Sequence, residues 1–437
     1  MKALNSWVHE DLNPSFIRKW QFACQAALIL FLLMQLNGGV VRWVLDMVGA
    51  APLTYIPNLF MVGCTISILI YKLYFQKLTL GVFLFIALIF LSLFVGIITT
   101  NSVVQPVFGL WVLAPFMFGL TCAPAFMVKP PHRMLVLYLM FFIAVGGVIV
   151  HSFVVYPWVG VSYQVGGIEL EGAREWETSG GSQRLSGLAR SSFDVAGQIV
   201  VAAGLLSLRI PKGFFRFLLW IFCTVAVSLS TSKGILLALL MTVIASEALI
   251  RDTSWLLKFT FVMGIFWLFV PPMMGWTMDW QEAARTDIDN PLYGSFIDRM
   301  NDMWPRALKL TTEHGLPLVG RGLGGIGVPV SIFEPALANA GDNVFVYCYV
   351  LVGVLAIPIF ILGISTLLKL AGRTAREDMQ DMLLLAVIIN WYGGVSNILE
   401  HAVLALAMGV VCRYIAATLS GNQFENFDDL KINKLQS

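Results

Sequence analysis

The sequence predicts an all-α polytopic membrane protein, from its composition, its long apolar runs and the placement of its basic residues. Hydrophobic side chains make up 58% of the 437 residues and charged ones only 12%, whereas soluble domains carry about 25% charged residues. Mean hydropathy is +0.80. A helix of about 20 apolar residues crosses the hydrocarbon layer while satisfying its own backbone, and such runs recur from residue 20 to residue 419. In order they are 20–37, 54–75, 78–98, 106–128, 134–156, 191–208, 214–231, 233–250, 259–276, 342–368, 381–397 and 402–419. They predict about twelve transmembrane helices in a single integral membrane domain over residues 1–437.

Lys and Arg set the orientation, because short positively charged loops stay on the cytoplasmic side. With the N-terminus inside, alternating spans put most of the chain's 28 basic residues inside, from Lys2, Arg18 and Lys19 to Arg413, Lys431 and Lys434. Outside fall Arg42, Lys233 and the basic residues of two long loops, 157–190 and 277–341. Long loops translocate largely regardless of charge, so both termini are expected in the cytoplasm. The first 19 residues are polar and lack the apolar core of a cleavable leader, so the first span is expected to be its own insertion signal. All of Cys24, Cys64, Cys122, Cys223, Cys348 and Cys412 fall within spans, and no disulfide is expected in either outer loop. The histidines are scattered, with only Glu313-His314 and Glu400-His401 pairing ligand types. No metal, cofactor or nucleic acid is expected.

With the spans almost free of charge, chemistry is expected in the two outer loops. The first contains GGIELEGAREWETSGGSQRLSGLARSS. Its Glu169, Glu171, Glu175 and Glu177 read as a solvated acidic half, while Arg184 and Arg190 close it just before the sixth span. A guanidinium there can take a lipid phosphate bidentately; the plainer reading is that both reach ordinary headgroups, as basic residues at span ends do. Lys233 opens the eighth span beside Ser228, Ser230, Thr231 and Ser232, where the free N–H groups of a helix start would add to its hold on an anion. A lone Lys at a span end otherwise serves as an interfacial anchor.

In the second loop, FIDRMNDMWPRALKLTTEHGL has helical spacing. Ile297, Met300, Trp304, Ala307 or Leu308, and Thr311 recur on one face, and Arg299, Asp302, Arg306, Lys309 and Glu313 form a second stripe. This predicts an amphipathic helix on the outer membrane surface, kinked or restarted at Pro305. Arg299 and Arg306 point the same way; in the plainer reading they pair with Asp302 and Glu313 as a solvated face. The stretch Gly320-Arg-Gly-Leu-Gly-Gly325 spells G-x-G-x-x-G. A dinucleotide turn needs a strand before it, a helix after it and an acid about twenty residues on. Asp342 meets the last condition, but Pro317 precedes the glycines, and Pro329 and Pro335 interrupt any helix on their C-terminal side. The glycines are expected instead to make a flexible outer turn leading to Asp342-Asn343, bringing backbone and Arg321 to an anion.

Taken together, RLSGLARSS before a span, STSKG opening one, an Arg–Trp–Ala-Leu run in a long outer loop, GRGLGG, and GDNVFVYCYVLVGVLA entering the next span resemble the O-antigen ligase and O-antigen polymerase superfamily of bacterial envelope glycosyltransferases. The resemblance covers roughly residues 184–365. It implies a metal-independent enzyme of the bacterial inner membrane whose active site faces the periplasm. The donor would be a glycan on undecaprenyl diphosphate and the acceptor another lipid-linked glycan, with membrane lipids and a chain-length-regulating membrane protein as candidate partners. An acceptor hydroxyl would attack the anomeric carbon with inversion, while Arg184 and Arg299 or Arg306 stabilise the leaving diphosphate. Arg190, Lys233, Arg321 and Asn343 are candidate substrate contacts. Where ligases carry His before Asn, this chain has Asp342 before Asn343. A carboxylate can act as general base, and the departure favours a polymerase of capsule, exopolysaccharide or O-antigen repeats over an O-antigen ligase or a protein O-oligosaccharyltransferase. His314 and the Glu400-His401 pair are alternative bases. A transporter or flippase is the remaining class; midplane ionisable sites or inverted repeats would mark it, and neither is evident.

Overall fold

The computed structural model describes residues 14–75, 78, 80–126, 133–165, 168–173, 183–230, 233–283, 294–372 and 377–419. A helix occupies every predicted span. The N-terminal part comprises α1 (Pro14–Leu36), α2 (Gly38–Met47), α3 (Ile56–Tyr74), α4 (Leu80–Thr100), α5 (Val104–Val112), α6 (Ala114–Phe126) and α7 (Arg133–His151). After the first long loop come α8 (Ser192–Ser207), α9 (Phe214–Leu229), α10 (Lys233–Ile250) and α11 (Ser254–Thr277). The second loop holds α12 (Gly294–Asp298), α13 (Trp304–His314) and α14 (Val328–Phe333); α15 (Val344–Val352), α16 (Ala356–Leu370), α17 (Glu377–Tyr392) and α18 (Ala402–Leu419) complete the described chain.

Among the described residues, eight helical stretches are long and apolar enough to cross a membrane, or nine if the bent pair α5–α6 is one span. The remaining three predicted spans, α8, α9 and α17, are apolar but shorter. Two of these are enclosed by protein: every residue of α8 from Val195 to Ser207 is buried, and in α17 so is every residue from Asp381 to Ile389. Helices apolar all round belong in a core, and twenty-residue hydropathy does not distinguish such a helix from one facing lipid. By contrast only Val82, Ser92, Val95 and Gly96 of α4 are buried, and Phe83, Phe90 and Phe94 turn outward. At the centre α6 and α18 pack backbone to backbone. A Cβ on Gly119 would lie 2.3 Å from the Leu406 carbonyl oxygen, and one on Gly409 2.1 Å from that of Phe116, a close approach that small residues permit.

The first long loop contains a feature the sequence does not announce, an antiparallel hairpin of β1 (Ser162–Val165) and β2 (Ile168–Glu171), with Ser162 opposite Glu171. Glu175 and Glu177 lie outside the described residues, as do Lys2, Lys431 and Lys434. In the second loop a π-helical turn, Arg299–Met303, joins α12 to α13. Pro305 sits in the first turn of α13, where its missing N–H costs nothing, so it begins the second part rather than kinking it. Ile297, Met300, Trp304, Ala307 and Thr311 are buried as the periodicity predicts, yet this face packs on α11 and α15. Trp276 Nε1 donates to the Trp304 carbonyl at 2.8 Å, and a Cβ on Gly275 would lie 2.9 Å from the Met300 carbonyl oxygen. The surface-lying helix is thus corrected: its apolar stripe is sealed by protein.

One end of the bundle is tied by buried ion pairs. Asp381, at the start of α17, is fully buried and accepts from Arg133 and, at 2.6 Å, from Arg209. Nearby, Glu247 pairs with Arg216 at 2.8 Å and with Arg251 at 3.2 Å. Removing one partner of a buried pair costs about 3–5 kcal/mol because a charge is left unpaired. Asp381→Ala is therefore expected to lower the thermal unfolding midpoint of the detergent-solubilised protein by several degrees, read by tryptophan fluorescence; an unchanged midpoint would mean that water replaces the carboxylate.

Candidate active site

The site begins in the first turn of α8, at the opposite end of that helix from Arg209. Ser191 is extended (φ −148°, ψ 159°) and caps the helix: its Oγ accepts from the Asp194 N–H at 3.1 Å and donates to Asp194 Oδ2 at 2.7 Å. This local capping exchange fixes the carboxylate. Its other oxygen, Oδ1, lies 2.9 Å from His401 Nδ1, and His401 Nε2 lies 2.8 Å from Ser396 Oγ. Both partners belong to the loop between α17 and α18, so a polar thread joins that loop to the start of α8. Between them, Phe193 stands with its ring centroid 5.6 Å from the Arg184 guanidinium carbon and 6.0 Å from the His401 ring, within cation–π range of Arg184. Tyr392 Oη donates to the Phe193 carbonyl at 2.5 Å.

A second thread comes from the other long loop. Asp342 Oδ2 accepts from Arg299 Nε at 3.1 Å and Nη2 at 2.7 Å, while Nη1 donates to the Ser295 carbonyl at 2.9 Å. Both side chains remain partly open, Arg299 at 15% and Asp342 at 25% exposure. Arg184 belongs to the same group. Burial and then the Arg299 charge pull its pKa below the ordinary guanidinium range, with Asp342 opposing. The Nε–H groups of Arg184 and Arg190 are buried and take no acceptor from the described residues. Burial pulls His401 down, but the hydrogen bond and charge of Asp194, followed by the charges of Glu400 and Asp342, outweigh it and raise the imidazole above its usual value.

The neighbouring candidates have structural partners. Asn343 is fully buried and caps α15: its Oδ1 accepts from the N–H groups of Phe345 and Val346, and its Nδ2 donates to the carbonyls of Leu268 at 3.0 Å and Gly394 at 3.3 Å. Its amide thus holds the backbone beside Asp342, which corrects its reading as a substrate contact. Glu400 Oε1 accepts from the Val328 N–H at 2.9 Å and from Tyr347 Oη at 3.1 Å, tying α14 to α15.

Arg321 is corrected too. It is 1% exposed, donating to the Gly325 carbonyl at 3.0 Å and to both oxygens of Glu334 at 2.8 Å. Gln105 Nε2 completes this strut with bonds to Glu334 Oε2 at 2.7 Å and the Gly324 carbonyl at 2.9 Å. The glycines around it are packed, not loose. Gly320, Gly322 and Gly324 have φ of +81°, +78° and +79°, and the turn inserts between α4, α5 and α15. Arg306 pairs with Asp302 at 2.6 Å, both exposed. His314 and Lys233 are exposed, and Thr231 and Ser232 lie outside the described residues.

The structure thus joins Arg299 to Asp342 and places Arg184 and His401 within electrostatic reach of that carboxylate, while Arg306 pairs with Asp302 and His314 and Arg321 stand elsewhere. Asp194, Phe193 and Ser396 were missed by the sequence reading. The Ser191–Asp194 spacing is a capping signal before an apolar run, so Asp194 was within reach of sequence reasoning; Ser396 has no comparable signature. Among the described residues no group of three or more His, Cys, Asp or Glu could hold a metal ion. No protein family, curated protein or solved structure matches this chain.

Proposed function

We propose that the protein is a membrane glycosyltransferase that polymerises undecaprenyl-diphosphate-linked oligosaccharide repeats, of the capsule, exopolysaccharide or O-antigen kind. The observation that carries the reading is a pair of guanidiniums, Arg299 bound to Asp342 and Arg184 within electrostatic reach of both, with a buried Nε–H on Arg184 and on Arg190 that takes no acceptor from the described residues. The planar donors of a guanidinium match the oxygens of a phosphate. When an acceptor hydroxyl attacks the anomeric carbon and the bond to the diphosphate breaks, negative charge builds on the leaving group; donors already in place stabilise it without reorganising. Asp342 holds Arg299 in that pose through one oxygen.

The site's end of the bundle is the periplasmic end in this reading, and the Asp381 and Glu247 ion pairs mark the cytoplasmic end of an inner-membrane protein with both termini inside. The short helices α8, α9 and α17 then complete about twelve spans, α8 and α17 being enclosed by protein.

The test is to reconstitute the purified protein in liposomes with an undecaprenyl-diphosphate-linked repeat and resolve the products on a gel. A ladder of longer lipid-linked chains is expected. Transfer only on addition of lipid A core would turn the reading to ligase, and no consumption of donor with either acceptor would overturn it.

A further inference from the structure

We propose that His401, oriented by Asp194, takes up the proton of the attacking acceptor hydroxyl, so that Asp342 serves as the anchor of Arg299 and not as the base. The inference rests on the glycosyl-transfer reading and adds its proton acceptor. Asp342 has one oxygen engaged by two N–H groups of Arg299, so that oxygen is committed to holding the guanidinium. His401 is built differently. A carboxylate can only accept, so the Asp194 Oδ1 contact at 2.9 Å places a proton on Nδ1 and leaves the Nε2 lone pair for an incoming O–H. Ser396 Oγ now occupies that direction at 2.8 Å, showing that a hydroxyl fits there. The imidazole is 19% exposed and Ser396 is buried; in the proposed step the serine hydroxyl has to turn away as the acceptor reaches Nε2.

The orienting carboxylate is itself held. Ser191 donates to Asp194 Oδ2 at 2.7 Å, leaving Oδ1 for the imidazole, and Phe193 in the same turn lies against both His401 and Arg184. One helix turn therefore sets the proton acceptor and one of the diphosphate-facing arginines together. The step balances: the acceptor oxygen bonds to the anomeric carbon, its proton passes to His401 Nε2, and the anomeric C–O bond breaks with its electron pair on the diphosphate. The imidazolium keeps its Nδ1 proton against Asp194 and releases the new one to water. The charged and titratable groups around the ring are Asp194 from α8, Asp342 from the lead-in to α15, Tyr392 from α17, Glu400 from the same loop, and Arg184 and Arg190 ahead of α8.

The test uses the full-length protein in liposomes with the lipid-linked repeat, measuring turnover against pH. Wild-type kcat is expected to rise with pH through a limb above the ordinary histidine value of about 6.5. His401→Gln is expected to lose about a hundredfold or more of kcat, as removal of a general base does, and to abolish that limb. Asp194→Asn removes the charge that favours the imidazolium, so its limb moves to lower pH while kcat falls; a purely structural role would reduce the folded fraction without moving the limb. Wild-type turnover with His401→Gln, or an unmoved limb in Asp194→Asn, overturns the assignment while leaving the polymerase reading intact. A wild-type profile lacking the limb overturns it without any variant. A wild-type protein that consumes no lipid-linked donor overturns both.

Discussion

Replacing Arg299 by alanine is expected to abolish chain extension while leaving the protein folded in the membrane. Arg299 gives Nε and Nη2 to Asp342 and Nη1 to the Ser295 carbonyl, and its charge bears on Arg184. Loss of one preorganised donor to a developing anion costs about 2.7–4 kcal/mol, or roughly a hundred- to a thousandfold in kcat. Arg299→Ala also frees Asp342, a negative charge that would face the leaving diphosphate of the proposed reaction, so its loss is expected to exceed that of Arg184→Ala. Arg299→Lys is expected to rescue little, because an ammonium cannot reproduce the two-pronged contact. Arg306→Ala is expected to extend chains near the wild-type rate, since its exposed pair with Asp302 contributes little. Initial rates normalised to folded protein decide the matter. Full activity in both Arg184→Ala and Arg299→Ala would sink the diphosphate role.

Substituting Gly322 by alanine is expected to prevent folding. Its φ of +78° is left-handed, a conformation that costs an L-residue about 1–2 kcal/mol. Its new Cβ would lie 2.1 Å from the Gly96 nitrogen and 2.5 Å from the Ser92 carbonyl oxygen. Both obstacles are backbone of α4, which cannot swing aside as a side chain can. Opening the gap would break the bond from Leu323 N–H to the Ser92 carbonyl at 2.8 Å and that from Thr99 Oγ1 to the Arg321 carbonyl at 2.5 Å. It would also disturb the buried Arg321–Glu334 pair beside them. Gly63→Ala, in a helix with nothing within 4 Å of the new atom, is expected to be neutral or slightly stabilising. Size-exclusion profiles of the two variants in detergent should differ sharply; a monodisperse Gly322→Ala protein at wild-type yield would show that the turn yields.

These two sites differ in how much the sequence disclosed. Arg184 and Asp342 stand out because they sit just before apolar runs, and Arg299 because it lies on the charged stripe of an amphipathic stretch in the long loop. A geometry built from two loops still had to bring them together. The glycine stretch is also conspicuous in one dimension, but its spacing is compatible with a phosphate cradle, a mobile turn or a wedge. Only the distances to Gly96, Gln105 and Val350 select the wedge. Asn343 looked like a partner for substrate because it follows Asp342; its side-chain oxygen and nitrogen are both used, in capping α15 and in holding Leu268 and Gly394.

The sequence by itself determined the solvent of this protein, the positions of its apolar helices and the few charged residues available for chemistry, because hydropathy and helix length are properties of about twenty consecutive residues. The tertiary structure decided which helices face lipid and which are enclosed, why the stripe from Ile297 to Thr311 is covered by protein, and which carboxylate meets which base. Asp194 and His401 are 207 residues apart in the chain. Their contact depends on α8, α17 and α18 packing together, a long-range outcome that no local pattern around either residue encodes.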